Sequence, residues 1–196
     1  MRPVAPGEPP GQPALLTERL ELWMPQVGDL QPMFRITCEE STARYLGGQP
    51  TLDDHFMRFT RNAGSWHLYG YGMFMVRERG GDGSLLGNCG IFHSLRGIGE
   101  DFDNRPEAGW IIRHDATGKG YAQEAMRAIL DWFDERFARE MVCLIVLGNT
   151  VSMKLADKLG FEAMREAEMR DGSQVQLYRR PPHDPYRPGD SYSRAG

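Results

Sequence analysis

The sequence predicts an α/β domain in which helices cover both faces of a central mixed β-sheet. Residues 141–147, MVCLIVL, are continuously apolar, as in a strand that is buried on both faces. Before them, residues 121–137 carry apolar side chains at helical spacing, with polar side chains between them. Strands that alternate with amphipathic helices indicate an α/β architecture. The apolar positions of this helix are Ala122, Met126, Ile129, Phe133 and Phe137.

The N-terminal half adds strands and a capped helix. TERLELWM alternates as a first strand, and two short helices follow in residues 27–46. Thr51 and Asp54 have the spacing of a capping box. The helix behind them is expected to turn Leu52, Phe56 and Phe59 inwards. GMFMVRER and SLLGNCGIFHS then predict two strands around the turn GGDG.

The C-terminal half completes the sheet. EAGWIIR predicts a further strand ahead of the long helix. After MVCLIVL, a second helix is expected from about Thr150 to Leu159, with Gly160 as its C-terminal cap. FEAMREAEM and SQVQLYRR predict an antiparallel pair around Asp171-Gly172.

Composition limits the classes of function. The chain has 196 residues, a net charge of −4 and a pI of about 5.8, so bulk electrostatics do not favour nucleic acid. Residues 1–14 and the Pro/Arg-rich residues 181–196 are expected to be disordered tails around a domain at 15–180. We expect no signal peptide, membrane span or disulfide framework, and hence a cytoplasmic protein. The histidines and cysteines lack ligand spacing, so no metal is expected.

A glycine-containing turn is the strongest functional signal. Gly118 and Gly120 flank Lys119 where the long helix begins. The first amides of a helix have no intrahelical partner, and the helix dipole adds partial positive charge there. Such a turn suits a pyrophosphate or another anionic group. About thirty residues later comes a second segment of interest, GNTVSMKLADKLGF.

These segments together resemble a GNAT-type N-acetyltransferase of the RimJ/RimL-like branch. LLTERLELWMPQVGDL, RYLGGQPTLDD, TGKGYAQEA and GNTVSMKLADKLGF are similar to family segments and occur in the family's order. The resemblance implies a single GNAT-like domain over residues 15–180. It also implies acetyl-CoA as acyl donor and direct attack by an amine acceptor, a small molecule or a peptide N-terminus, in a ternary complex. Monomer and homodimer both stay open.

The same resemblance assigns residues to the donor. It implies that backbone amides of residues 117–122 hold the phosphates, that the strand at 110–112 holds the pantetheine arm and the oxyanion, and that Asn149 reaches the pantetheine. Asp115 stands where the family usually has Gln or Arg, and nearby basic side chains would offset it. Lys119 as a solvated charge and Asn149 as a helix cap are the alternatives. The donor-binding set is Trp110, Ile111, Ile112, Arg113, Thr117, Gly118, Lys119, Gly120, Tyr121, Ala122, Asn149, Ser152 and Lys154.

Two residues are assigned to proton transfer. Glu107 stands where several family members carry a catalytic glutamate, although a solvated loop residue is the alternative. Many members have a tyrosine at the position of Ala156, so the resemblance implies Ser152 as the substitute acid. The alternative is a Ser152 that only bonds back to its helix. Glu124 is expected to be structural.

Three functions remain open at this point. The first is an acetyl-CoA-dependent N-acetyltransferase, and the others are a non-catalytic acyl-CoA-binding module and a transferase of a longer acyl group. An α-amine, with a pKa of ~7.7–8.0, is far less protonated at pH 7 than a lysine amine near ~10.4, so a weakly placed base favours an α-amine. The acidic loop of Glu100, Asp101 and Asp103 either attracts a cationic acceptor or is an ordinary solvated loop.

Overall fold

A computed structural model describes residues 11–182 as one eight-stranded mixed sheet with helices on both faces. The sheet order is β1-β2-β3-β4-β5-β6-β8-β7, and every neighbouring pair is antiparallel except β5 and β6. The predicted fold class is therefore confirmed. The strands are β1 (Leu15–Leu16), β2 (Leu20–Trp23), β3 (Met73–Glu78), β4 (Leu85–Ser94), β5 (Arg105–Ile112), β6 (Met141–Val146), β7 (Glu162–Glu168) and β8 (Gln174–Arg180). The α-helices are α1 (Leu30–Cys38), α2 (Glu40–Ala43), α3 (Leu52–Tyr69), α4 (Tyr121–Phe137) and α5 (Thr150–Lys158).

The sheet opens between β5 and β6. These two strands are parallel and share one pair in register, Glu107 with Val142. Beyond that pair, β5 stays on β4 as far as Ile112, and β6 stays on β8 as far as Val146. The edge of β5 after Glu107 therefore faces a gap instead of a neighbouring strand. Backbone N–H and C=O groups at such an edge are available to a ligand.

The two faces of the sheet are covered by different helices. The main core packs α4 and α5 on one face, through residues such as Ile129, Phe133 and Ala156. On the other face, Met33 of α1 packs with Met75 and with the partly buried Phe59 of α3. Side chains alternate along a strand, so neighbouring β5 residues point to opposite faces. Ala108, Trp110 and Ile112 join the main core, whereas Ile111 joins the cluster under α1 and α3.

Helix α3 differs from its prediction in the face that it turns inwards. Its capping box is confirmed, since Thr51 Oγ1 accepts from the Asp54 amide at 3.1 Å. The prediction for Leu52 and Phe56 is wrong, because these side chains are 47% and 48% exposed. The inward face carries polar side chains, including the buried His55. The reason is that α3 covers a polar cavity as well as an apolar core.

The structure tests the predictions for the two tails and the cysteines only in part. The first strand begins at Leu15 and the last ends at Arg180, while the tail predictions fall mostly on residues 1–10 and 183–196, outside the described residues. Cys89 and Cys143 are buried free thiols, and Cys38 is a half-buried one. Within residues 11–182, no helix has the length and apolar character to cross a membrane.

Candidate active site

A cavity of about 920 Å³ occupies the gap between β5 and β6 and continues beneath α1 and α3. At one end it meets the turn before α4, and at the other it meets Glu107 and the inward face of α3. One continuous space therefore reaches both faces of the sheet. Most of the predicted donor-binding residues line it: Trp110, Ile111, Ile112, Thr117, Gly118, Gly120, Tyr121, Ala122, Asn149, Ser152 and Lys154.

The turn before α4 leaves helix amides without acceptors. Gly118 and Gly120 have φ angles of 77° and 81°, in the left-handed region that favours glycine. Gly120 is the N-cap of α4 and supplies no side-chain cap. The first bond of the helix runs from the Glu124 amide to the Gly120 carbonyl oxygen, so the amides of residues 121–123 lack intrahelical partners. This geometry suits an anion at the start of a long helix.

Two residues predicted to bind the donor at this end, Thr117 and Arg113, have other contacts. The Thr117 amide and Oγ1 both donate to the His114 carbonyl oxygen, at 3.1 and 2.7 Å. The side chains of Arg113 and Asp115 form an ion pair, with Arg113 Nε 2.8 Å from Asp115 Oδ1 but without hydrogen-bond geometry. Arg113, Asp115 and Lys119 lie outside the cavity wall, whereas Lys154 lies in it. The negative charge of Asp115 is thus compensated by its neighbour.

Hydrogen bonds between Glu124 of α4 and the N-terminal segment hold the turn in place on the side away from the cavity. Glu124 accepts from Thr17 Oγ1 at 2.6 Å, from the Arg19 amide at 2.8 Å and from Arg19 Nε at 2.6 Å. Arg19 Nη1 also donates to the Lys119 carbonyl oxygen at 2.9 Å. Burial acts to raise the pKa of Glu124, but these bonds outweigh it and the pKa is lowered. Glu124 therefore links the N-terminal strands to the start of α4.

We expect Glu124→Gln to lower the free energy of unfolding by about 1–3 kcal/mol at pH 7, because it removes the charge from these hydrogen bonds. A lowered pKa means that the stabilisation is present above the unfolded-state value near ~4.3 and is lost as pH falls through the folded-state pKa. Urea titrations at pH 7 and pH 3.5 check this. The loss should shrink at the lower pH, and Glu135→Gln, at a 76% exposed side chain of the same helix, should change little. Equal losses at both pH values would contradict the assignment.

A second group of predicted donor-binding residues lies between β5 and α5. The Trp110 indole N–H donates to Ser152 Oγ at 3.2 Å, and the Ser152 amide donates to Asn149 Oδ1 at 3.2 Å. Asn149 therefore caps α5, the alternative foreseen for it, while also lining the cavity. Ser152 Oγ accepts from an indole, which leaves its hydroxyl hydrogen to point elsewhere. Ala156 is fully buried in the main core, so a tyrosine there would be overpacked.

Glu107 lies on the opposite face of the same strand and is 3% exposed. Ser94 Oγ and both Arg96 Nε and Nη2 donate to its carboxylate, the Arg96 Nε bond measuring 2.7 Å. A carboxylate offers about four acceptor positions, so roughly one remains for a ligand. The structure places Glu107 on the cavity wall rather than in a solvated loop.

Several polar residues on the cavity wall were not predicted. Arg58, Arg61 and Asn62 come from α3, and Asn88 comes from β4. His55, Arg58 and Asn62 follow helical spacing, so a polar stripe on α3 was the available signal. His55 Nε2 is 3.2 Å from the Leu30 carbonyl oxygen, and burial lowers the His55 pKa.

The acidic loop is used within the fold. The Asp103 carboxylate accepts from the amides of residues 96–99 at distances of 2.7 to 3.1 Å. Asp101 pairs with Arg165 at 2.7 Å. Neither carboxylate lines the cavity. The loop therefore contributes no carboxylate to the cavity wall.

Comparisons with known proteins agree with this geometry. The chain is 32% identical to YkkB of Bacillus subtilis (strain 168) over 154 residues, which are 74% of this chain and 83% of YkkB. It superimposes on a putative GnaT-family acetyltransferase from Bordetella pertussis with a TM-score of 0.75 and 30% identity, over 85% of this chain and 98% of that one. It superimposes on an acetyltransferase from Agrobacterium tumefaciens str. C58 with a TM-score of 0.73 and 26% identity, over 87% of this chain and 94% of that one.

The family description "Acetyltransferase (GNAT) domain" matches residues 19–162. This range includes the turn before α4, the gap beside β5 and Ser152. The resemblance to the GNAT family is confirmed, and acetyl-CoA is the donor that this family uses. The chain belongs to the GNAT acetyltransferase family.

Proposed function

We propose that this chain acetylates a primary amine, a small molecule or a peptide N-terminus, by direct attack in a ternary complex. The observation that carries the proposal is the single cavity that connects an uncapped helix N-terminus with Glu107 through the gap in the sheet. A donor entering from one face and an acceptor entering from the other would meet at that gap. No covalent intermediate on the protein is required.

The donor end fits acetyl-CoA, which supplies the acetyl group as a thioester. The uncapped amides at the start of α4 suit its pyrophosphate, and no atom lies within 4 Å of a Cβ built at Gly118. Lys154 adds positive charge to the cavity wall. Along the gap, the β5 edge at residues 110–112 and the Asn149 amide group would bind the pantetheine arm. The same edge would stabilise the oxyanion.

Proton transfer would use the two faces of β5. Glu107 would take the proton that the attacking amine loses, directly or through water. Ser152 would hydrogen-bond the sulfur as the carbon–sulfur bond breaks and pass it a proton taken up from water, so that the serine hydroxyl is restored. Trp110 already occupies an acceptor position of Ser152 Oγ, which leaves the hydroxyl hydrogen for the sulfur. The base would then lie beside the attacking nitrogen and the acid beside the departing sulfur of the tetrahedral intermediate.

Release of free thiol from acetyl-CoA, measured with a panel of amines, tests the proposal. We expect acceptor-dependent thiol release and an acetylated amine of matching amount by mass spectrometry. CoA binding without turnover of any amine would favour a non-catalytic module. Faster turnover with a longer acyl-CoA would favour a different donor.

We expect Ser152→Ala to lower kcat by about 10–100-fold with little change in CoA affinity, because only protonation of the sulfur is lost. Trp110→Phe should cause a smaller loss, since it removes the indole donor and leaves the hydroxyl. Steady-state kinetics and CoA calorimetry measure both variants. Full kcat in Ser152→Ala would make solvent the proton donor, and lost CoA binding would make Ser152 a binding residue.

A further inference from the structure

The acceptor end of the cavity carries more positive than negative charge. Its ionised side chains are four arginines and two carboxylates, although the whole chain has a net charge of −4. The cavity is thus opposite in sign to the protein that surrounds it. A low-dielectric cleft lined by one sign of charge attracts ligands of the other sign. The side chains are Arg44, Arg58, Arg61, Arg96, Glu107 and Asp171.

Three of these arginines form no salt bridge among residues 11–182, and one of them, Arg44, lies over the Tyr45 ring at 4.6 Å. The other two are Arg58 and Arg61, whereas Arg96 is paired with Glu107. Asp54 attracts Arg58 only at longer range, because its carboxylate bonds Thr51 Oγ1 at 2.6 Å.

The guanidinium groups also lie close enough to repel one another. Burial lowers the pKa of Arg58, and the charges of Arg61 and Arg96 lower it further. Burial and the charge of Arg96 also lower the pKa of Arg61, and the negative charge of Glu107 offsets this lowering only in part. Like charges held together on a cavity wall are stabilised when an anion binds between them.

Two buried amide groups lie on the same wall. The Oδ1 atoms of Asn62 and Asn88 are buried without a hydrogen-bond partner, and Asn88 is 7% exposed. Asn88 pairs in register with Ile111, which belongs to the β5 edge at the gap. A buried polar atom without a partner is costly, so such atoms indicate a place where a ligand supplies the donor. An amine group is a donor of that kind.

We propose that the acceptor is a small amine that also carries a carboxylate or phosphate group, with Arg58 and Arg61 binding the anion and Asn88 and Glu107 facing the amine. This inference rests on the proposed acetyl transfer and names its substrate class. The two ends of the acceptor then match two regions of the wall. A polyamine lacks the anionic group, so its positive charges would be repelled by Arg58 and Arg61, which form no salt bridge with the residues that the structure describes.

Matched pairs of probes test the inference: glycine against glycinamide, and O-phosphoethanolamine against ethanolamine, with spermidine as a polycation. Values of kcat/KM are compared per unprotonated amine. We expect the anionic member of at least one pair to be preferred by about 10-fold or more, from one charge-assisted contact. The pair that responds separates a carboxylate from a phosphate. Equal values in both pairs, or preference for spermidine, would overturn the inference.

Variants assign the preference to the arginines. Arg61→Gln and Arg58→Gln should each raise KM for the anionic probe more than for its neutral partner. Arg35→Gln is the control, because Arg35 is exposed on α1 outside the cavity wall. Inorganic phosphate or acetate should compete with the anionic acceptor in the wild type and less in the variants. Variants that slow both members of a pair equally would contradict a role in anion binding.

Equilibrium binding separates this inference from the proposed function. Calorimetry with CoA present compares O-phosphoethanolamine with ethanolamine, and glycine with glycinamide, without any need for turnover. Preferential binding of an anionic probe without thiol release would uphold the anion site and refute catalysis. Thiol release with neutral amines, and no preferential binding of either anionic probe, would uphold catalysis and refute the anion site.

Discussion

Gly120→Glu is expected to weaken CoA binding by about 30-fold or more. The new side chain would start at the N-cap of α4, where the free amides suit a pyrophosphate, and 3.4 Å from Arg19 Nη2, which would offset part of the added charge. Like charges about 4 Å apart repel by about 4 kcal/mol at a protein surface, and even half of that exceeds a tenfold loss. Isothermal calorimetry with CoA measures the change.

The control must separate charge from backbone strain. Gly120 has a φ of 81°, so any side chain there is strained. Gly120→Ala introduces that strain without the charge and should lose much less affinity. Gly80→Glu places the same residue at a φ of 68° in a turn outside the cavity wall and should bind CoA normally. Unchanged affinity in a folded Gly120→Glu protein would place the donor site elsewhere.

Glu107→Gln is expected to lower kcat by about 100-fold or more at neutral pH, because the amide cannot accept the amine proton. CoA affinity should stay near the wild-type value, since Glu107 lies at the acceptor end. The loss should shrink as pH rises, because more acceptor is then already neutral. A pH–rate profile of both proteins measures this.

A positioning role for Glu107 would give a different result. Its carboxylate also holds Arg96, so Glu107→Gln disturbs a buried ion pair. If Glu107 only holds Arg96, the acceptor KM should rise while kcat keeps its magnitude and pH dependence. Ser94→Ala removes a donor to Glu107 and keeps the carboxylate, which makes it the matched control. Glu140→Gln, at a pair whose side chains are more than a third exposed, should have no effect on kcat.

The local elements could be predicted where one physical signal dominated. The run MVCLIVL became β6 because continuous apolar residues suit a strand buried on both faces. The capping box at Thr51 formed because its atoms are three residues apart and need no tertiary partner. Gly118 and Gly120 took positive φ angles, which glycine adopts without a steric penalty.

The acceptor end could not be predicted, because its contacts depend on tertiary placement. Arg96 reaches Glu107 only because β4 and β5 pair in one particular register. The inward face of α3 is polar, so an apolar pattern assigned Leu52 and Phe56 to the wrong side. Such conflicts between pattern and structure are expected at functional sites.

The opening between β5 and β6 also divides the sheet mechanically. Strands β1–β5 form one hydrogen-bonded slab and β6–β8 another, and a single register pair joins them. Apart from that pair, the side chains of the main core hold the two slabs together, so we expect the molecule to deform most easily along the opening. A ligand bound in the opening between β5 and β6 would contact both slabs and link them. Occupancy would therefore stiffen the domain as a whole, and the protein would be most deformable when the cavity is empty.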